Sequence, residues 1–302
     1  MILRIGARGS ALSQAQAALV VGALRGRVEA TVVTFRTTGD RLSSLGAEIS
    51  GKGVFTKEID EALLDGRVDL GVHSLKDLPS EIPDGLVLAA VPVREDPRDV
   101  LLSGSGHPLA LLPPGSRIGT ASPRRRAQLL AARPDCPVSD ARGNVDTRIR
   151  WMREGRWEAI VLARAGLARL GRLDEVTEVF EEDRMLPAIG QGALALVTRA
   201  EDGETRRIVA ALDDAQAHSE STAERELLRH LEAGCRAPLA GLARTSGEVL
   251  RLTARVFSRD GERILEARGE GSTRDPREVG RRVAEELLQR GAGLLISEAR
   301  AE

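Results

Sequence analysis

Lys76 and Asp77 stand side by side beyond a short apolar run, Asp69-Leu70-Gly71-Val72, which reads as a buried strand and stops at a polar cluster that they form with His73 and Ser74, closed by Pro79. The C-terminal end of a strand is where open α/β sheets place their ligands. A carboxylate there could protonate a leaving group or stabilise a developing cation. The same spacing also suits a Lys–Asp pair that only fixes a turn before Pro79. Lys52, Lys57 and Lys76 are the only lysines among 44 basic residues. Their clustering points to a local need for an ammonium on a flexible stem, although so few residues can also cluster by chance.

Arginine recurs at strand ends further along. Arg8 stands with Ser10, Arg124 and Arg125 with Thr120 and Ser122, Arg142 with Asn144 and Arg148, and Arg169 follows in a later helix. Each junction sets a guanidinium, which forks carboxylates and phosphates, beside a helix start whose free N–H groups attract anions. Cations at a helix N-terminus oppose the helix dipole, so Arg124 and Arg125 demand a compensating anion, and a ligand is the expected one. The alternative is solvated charge in an arginine-biased chain. A P-loop is absent, so several carboxylates suit these arginines at least as well as a nucleotide. Cys235 lies just past a helix that ends at Gly234, next to Arg236. A neighbouring cation favours the nucleophilic thiolate; the alternative is a small buried hydrophobe, which is how Cys136 reads. The 4 histidines, at 73, 107, 218 and 230, are scattered. No metal site is expected, and His73 reads as a structural histidine with its hydrogen bonds satisfied.

The elements that must position these residues form an α/β series. The chain has 302 residues, 42% hydrophobic and 29% charged, with a net charge of −1 and 2% aromatics. That composition predicts two or three soluble domains and excludes bulk nucleic-acid binding and a stacking platform. There is no signal-peptide pattern, no membrane-length apolar run and no CxxC pair, so a cytoplasmic protein without disulfides is expected. Strands are expected at 2–7, 30–36, 68–73 and 86–92, with helices at 11–24 and 55–66, the latter presenting Phe55, Ile59, Leu63 and Leu64 on one face. The aperiodic stretch 37–53 reads as a mobile lid carrying Lys52. A second series has strands at 99–103, 116–121, 137–141 and 158–163. The strand 193–198 is expected to return to the first domain, which gives two crossovers, near 93–98 and 187–192, in a hinge arrangement. Strands 237–244, 248–257 and 262–270 alternate as a half-exposed antiparallel sheet, covered by a helix 276–290 with Val279, Val283, Leu287 and Leu288 on one face. The expected domains are 1–93 with 193–212, 94–192, and 213–302, and no exposed apolar helix face argues against a monomer.

Taken together, Leu3-Arg4-Ile5-Gly6-Ala7-Arg8-Gly9-Ser10, His73-Ser74-Leu75-Lys76-Asp77-Leu78-Pro79, Gly119-Thr120-Ala121-Ser122-Pro123-Arg124-Arg125, Arg142-Gly143-Asn144-Val145-Asp146-Thr147-Arg148, Pro187-Ala188-Ile189-Gly190-Gln191-Gly192 and Gly234-Cys235 give a chain that resembles the porphobilinogen deaminase (hydroxymethylbilane synthase) family over nearly its whole length. The resemblance implies an α/β fold of two periplasmic-binding-protein-like domains joined by two hinge crossovers, with a small C-terminal α/β domain. It implies a transferase that deaminates four porphobilinogen molecules and joins them head to tail on a dipyrromethane cofactor, releasing linear hydroxymethylbilane. Cys235 would carry that cofactor by a thioether. Lys76, Arg124 and Arg125, with Thr120, Ser122 and Asp77, would contact it. Asp77 would be the catalytic acid, stabilising the cation left when ammonia departs. Arg8, Ser10, Arg142, Arg148, Arg169, Gln191 and Lys52 would contact substrate or the growing chain.

Some positions depart from the family pattern. Glu48 stands where a basic residue is common, which leaves Lys52 as the lid's cation. Pro123 stands where an aliphatic residue is common, benign at the first helical position. Asp146 stands where glycine is frequent, close to Arg148, and could weaken anion binding there. A non-catalytic, hinged polycarboxylate-binding protein is the alternative reading; it leaves Cys235 and the Lys76-Asp77 pair without a task.

Overall fold

The computed structural model describes residues 2–39, 53–233 and 237–300. Glu48, Lys52 and Cys235, and with them most of the expected 37–53 lid, lie outside the described residues. The chain divides into two compact units, Met1–Glu95 with Gly192–His218, and Asp96–Gln191 with Ser219–Glu302.

The first unit opens with β1 (Ile2–Arg8), α1 (Ala11–Ala23), β2 (Glu29–Phe35), α2 (Lys57–Leu64), β3 (Leu70–Ser74) and β4 (Leu86–Ala90). α1 begins where it does because the Ser10 Oγ accepts from the Ser13 N–H at 3.3 Å, capping a free donor. α2 carries Glu58 and Asp60 in its first turn, where carboxylates complement the dipole. Its Ile59, Ala62 and Leu63 are buried, whereas Leu64, expected on the same face, points out at 49% exposure. One step along a helix turns a side chain by about 100°, enough to carry it off the buried stripe.

The second unit continues with β5 (Asp99–Ser103), β6 (Ile118–Gly119), α3 (Pro123–Ala132), β7 (Val138–Ser139), α4 (Val145–Arg153), β8 (Ala159–Ala163), α5 (Arg164–Arg169) and β9 (Glu178–Val179). The chain then re-enters the first unit as β10 (Leu194–Arg199) and α6 (Gly203–Ala210). The two five-stranded sheets follow one plan, with orders β2-β1-β3-β10-β4 and β7-β6-β8-β5-β9. β1 is parallel to β2 and β3, and β6 is parallel to β7 and β8. The fourth strand, β10 or β5, is antiparallel to both its neighbours. In each sheet that fourth strand is the one that follows a crossing of the chain between units. This pairing of like sheets bears out the expected periplasmic-binding-protein-like class. The parallel strands of a sheet end along one edge, so the sites that follow β1 and β3, and those that follow β6, β7 and β8, each gather at one edge.

β3 alternates across the first sheet. Leu70 and Val72 pack with Leu3, Ile5, Val20 and Leu24, while Gly71 lies on the opposite face, under Ile59 and Leu63 of α2. A Cβ at Gly71 would sit 2.9 Å from His73 Nε2 and 3.1 Å from Ile59 Cγ2. Only glycine lets the imidazole lie back against the strand.

The chain continues through α7 (Ala215–His230) into a three-stranded antiparallel sheet, β11 (Leu239–Ser246), β12 (Val249–Phe257) and β13 (Ile264–Ser272), followed by α8 (Pro276–Gln289) and α9 (Ala292–Arg300). Val279, Val283 and Leu287 of α8 are buried, but Leu288, expected beside them, is 41% exposed. α7 stops at His230, short of the helix end expected at Gly234, and Glu232 adopts a left-handed φ of 47° that glycine usually supplies. Among the described residues no helix is long and apolar enough to cross a membrane.

Candidate functional site

In the first unit the ends of β1 and β3 meet around a hollow lined by Arg8, Ser10, Phe55, His73, Ser74 and Asp77. Arg8 is the last residue of β1. Its backbone is held on both sides, the N–H donating to Ser13 Oγ at 2.9 Å and the carbonyl accepting from Gln14 Nε2 at 2.6 Å. Its guanidinium lies over the Phe55 ring, 4.2 Å from the centroid, and its Nη1 is 3.9 Å from Asp77 Oδ2. Asp77 and Lys76 ride on a single 3-10 turn, Leu75–Asp77, that follows β3. Leu75 and Leu78 are buried on either side of the pair, so packing sets the direction of the turn. Gln16 Nε2 donates to Ser74 Oγ at 2.8 Å and ties α1 to the end of β3.

His73 departs from expectation. It is 4% exposed, and its Nε2 finds no hydrogen-bond partner. Burial, with the Arg8 charge added, pushes the imidazole down to about 4. It is a neutral ring at physiological pH.

The second unit holds the arginine pair. Ser122 caps α3, its Oγ accepting from the Arg125 N–H at 3.4 Å, with Pro123 in the first turn. Thr120 is buried, and its Oγ1 accepts from the Ser122 N–H at 3.2 Å. Arg124 and Arg125 do not reach solvent: they are 3% and 6% exposed. Within the chain, one carboxylate offsets part of their charge at the helix start. Asp99, fully buried at the head of β5, does so, with Arg124 Nη1 at 2.6 Å from Oδ2 and Arg125 Nη2 at 2.7 Å from Oδ1. Arg124 also donates to the Leu186 carbonyl at 2.7 Å and Arg125 to the Val161 carbonyl at 2.9 Å. Burial alone would raise the Asp99 carboxyl, but the two guanidiniums overrule it and hold it at about 2. Burial pushes the Arg125 guanidinium down despite Asp99, which reflects how fully the pair is enclosed. Two guanidiniums against one carboxylate leave an excess of buried positive charge, and Arg124 Nε has no hydrogen-bond partner.

Gln191, expected among the substrate contacts, is 1% exposed. Its Nε2 donates to the Pro97 carbonyl at 2.6 Å and to Asp99 Oδ1 at 2.9 Å. Its Nε2 joins the two crossing segments. Arg142 is half-buried and meets Asp140 Oδ2 at 2.7 Å. Arg148 Nε donates to the Gly143 carbonyl at 2.7 Å, and Arg169 closes α5, half-buried. Asp146, expected to weaken anion binding near Arg148, pairs with Arg172 instead. Cys136 is buried, with its thiol pushed up by burial.

Sequence reasoning missed Asp99 and Phe55. The signal for Asp99 was present: a lone acid opens an otherwise apolar strand, Asp99-Val100-Leu101-Leu102, while a helix start rich in arginine lacks a local counter-charge. Phe55 gave no local signal, because its contact with Arg8 joins distant parts of the chain.

A family model described as porphobilinogen deaminase, dipyromethane cofactor binding domain, matches residues 3–207. A second, described as porphobilinogen deaminase, C-terminal domain, matches residues 218–289. A protein named porphobilinogen deaminase from Syntrophobacter fumaroxidans is 45% identical over 98% of this chain and 97% of its own length. One of the same name from Rubrobacter xylanophilus is 49% identical over 97% of this chain and 96% of its own. Among solved structures, the ligand-binding component of an ABC-type import system from Staphylococcus aureus shares 15% identity over 75% of this chain and 73% of that one, at a TM-score of 0.42, too distant to carry an argument.

Proposed function

We infer the tasks of the individual residues from one premise: the chain belongs to the porphobilinogen deaminase family. Its activity is that of a hydroxymethylbilane synthase, which deaminates porphobilinogen and joins four molecules head to tail into linear hydroxymethylbilane for tetrapyrrole synthesis, with dipyrromethane as cofactor. When bound, dipyrromethane supplies the free pyrrole carbon to which new rings are added. Family membership displaces the alternative of a non-catalytic binding protein.

In this reading Asp77 is the catalytic residue. Ammonia leaving porphobilinogen creates a positive charge, and a preorganised carboxylate at the end of β3 lowers the cost of forming it. Arg8, 3.9 Å from Asp77, takes a substrate carboxylate, so the substrate is anchored beside the acid. Ser10, Arg142, Arg148 and Arg169 serve the remaining acetates and propionates, and Lys52 is assigned to the same task. Cys235 is the attachment point of the cofactor. Lys76, Arg124 and Arg125, with Ser122 and Thr120 shaping the helix start, hold its carboxylates. The residues present fit such a polyanion. The buried excess of positive charge at Arg124 and Arg125 and the partnerless Arg124 Nε are what a further carboxylate would satisfy. Gln191 stays in the substrate set and also holds Asp99 through its Nε2.

The observation that carries this division is the guanidinium–carboxylate pair of Arg8 and Asp77, at 20% and 32% side-chain exposure, where two parallel strands end. The C-terminal sheet with its helices, 213–302, is read as a third domain beside 1–93 with 193–212 and 94–192, and the protein as a cytoplasmic monomer, which light scattering would check. The deciding experiment is the intact mass of protein from a porphobilinogen-producing host. The expected result is an added mass of two porphobilinogen units less their ammonia, on the peptide that contains Cys235. Unmodified protein that gives no colour with an aldehyde pyrrole reagent refutes the attachment. For Asp77, the Asp77→Ala variant is expected to release almost no ammonia; near-normal turnover removes Asp77 from the chemistry.

A further inference from the structure

The carboxylate at Asp99 has more partners than a helix start needs. It lies at the head of β5, with no exposed surface, and receives three side chains from separate parts of the second unit: Arg124 on Oδ2 at 2.6 Å, Arg125 on Oδ1 at 2.9 Å from Nε and 2.7 Å from Nη2, and Gln191 on Oδ1 at 2.9 Å. Arg125 is met side-on, through Nε and Nη2, while its Nη1 is committed to the Val161 carbonyl. Arg124 is met end-on, through Nη1 alone, which leaves its Nε without a partner. One carboxylate thus grips both guanidiniums and sets each at a different angle. Gln191 in turn fixes Asp99, because its Nε2 bridges Oδ1 and the Pro97 carbonyl at 2.6 Å. A guanidinium is a rigid fork, useful for reading a carboxylate only when its plane is held.

We propose that Asp99 is the positioning residue of the anion site in the second unit, aiming the Arg124 and Arg125 guanidiniums at the dipyrromethane carboxylates and being itself held by Gln191. The inference rests on the reading that these arginines hold the cofactor. Asp99 touches no pyrrole; it acts through the arginines. Removing its charge frees both forks and sets two buried cations against each other, so binding suffers at a distance from the bound group. Removing a group that orients a metal ligand typically weakens metal binding by about ten-fold or more, and a loss of that order is expected for a guanidinium held in the same way.

The test uses the full chain expressed in a porphobilinogen-producing host, with cofactor occupancy read by intact mass and thermal unfolding followed in parallel. Asp99→Asn is expected to lower occupancy about ten-fold. Because that variant could fail through misfolding, the decisive comparison is Arg125→Gln against Arg125→Gln with Asp99→Asn. The double variant has the same formal charge in the cluster as the native protein, one guanidinium with no carboxylate. If Asp99 aims Arg124, the double variant loads several-fold less cofactor than Arg125→Gln alone. Equal loading of the two, or native loading of a folded Asp99→Asn, overturns the proposal. If Arg125→Gln itself loads like the native protein, the underlying reading of the arginines fails, and the inference falls with it.

Discussion

Replacing Phe55 with leucine isolates what holds Arg8 in place. The Arg8 guanidinium lies 4.2 Å from the centre of the Phe55 ring, well inside the range of a cation–π contact. Its Nη1 lies 3.9 Å from Asp77 Oδ2. The Phe55 ring is itself backed by the main chain, since a Cβ at Gly39 would fall on two of its ring carbons. The neck that carries Gly39 is closed by its N–H donating to the Val54 carbonyl at 2.8 Å and by Thr38 donating to Glu58 Oε1 at 2.7 Å. Leucine keeps an apolar side chain there but has no π face. A cation–π contact is worth about 0.5–1 kcal/mol when exposed and about 2 kcal/mol when desolvated. The Arg8 side chain is 20% exposed, between these limits, so about 1 kcal/mol is the appropriate loss, or roughly five-fold in binding. The expected outcome is a KM for porphobilinogen raised about five-fold, with kcat and cofactor occupancy close to native, measured by steady-state assay on cofactor-loaded protein. A native KM in a fully loaded variant refutes the idea that Phe55 holds Arg8 for substrate.

Two further consequences concern the strand beneath this site. His73 is held at about 4 in the fold against an ordinary 6.5, so between those values the unfolded chain binds more protons and stability rises with pH. The native protein should lose up to about 3 kcal/mol of unfolding free energy between pH 7 and pH 4 on account of this residue. Urea titrations of the native protein and His73→Phe should differ in slope across that window, and identical slopes would show that His73 is not the cause. At Gly71 an added Cβ meets His73 Nε2 at 2.9 Å, Ile59 at 3.1 Å and Leu63 at 3.2 Å. Gly71→Ala should therefore cost about 1–3 kcal/mol by overpacking, and a thermal midpoint equal to the native one would mean that β3 and α2 separate more easily than their packing indicates.

Local chemistry was legible from residue order. Ser10, Ser122 and Asn144 each cap a helix with a side-chain oxygen, and a cap needs only a neighbour three residues along the chain. The apolar runs that became β3, β5 and β8 were legible because strands buried on both faces exclude polar residues. The strand-end placement of Arg8, Asp77 and Arg142 followed from the same boundaries. Partners supplied by another element were not legible. Arg124 and Arg125 read as ligand-binding arginines and Gln191 as a substrate contact, and no neighbouring residue showed that Asp99 also holds all three.

The sequence by itself determined the elements, the strand-end motifs and the family, since periodicity, caps and ordered motifs are properties of adjacent residues. The tertiary structure decided which charges are already answered. Asp99 meets Arg124 and Arg125 because β5 and α3 fold together, and Phe55 meets Arg8 because the start of α2 packs at the end of β1. Side chains reach only a few ångströms, so an ion pair between residues distant in the chain exists only once the backbone has brought them together. Their sequence positions carry no record of that distance.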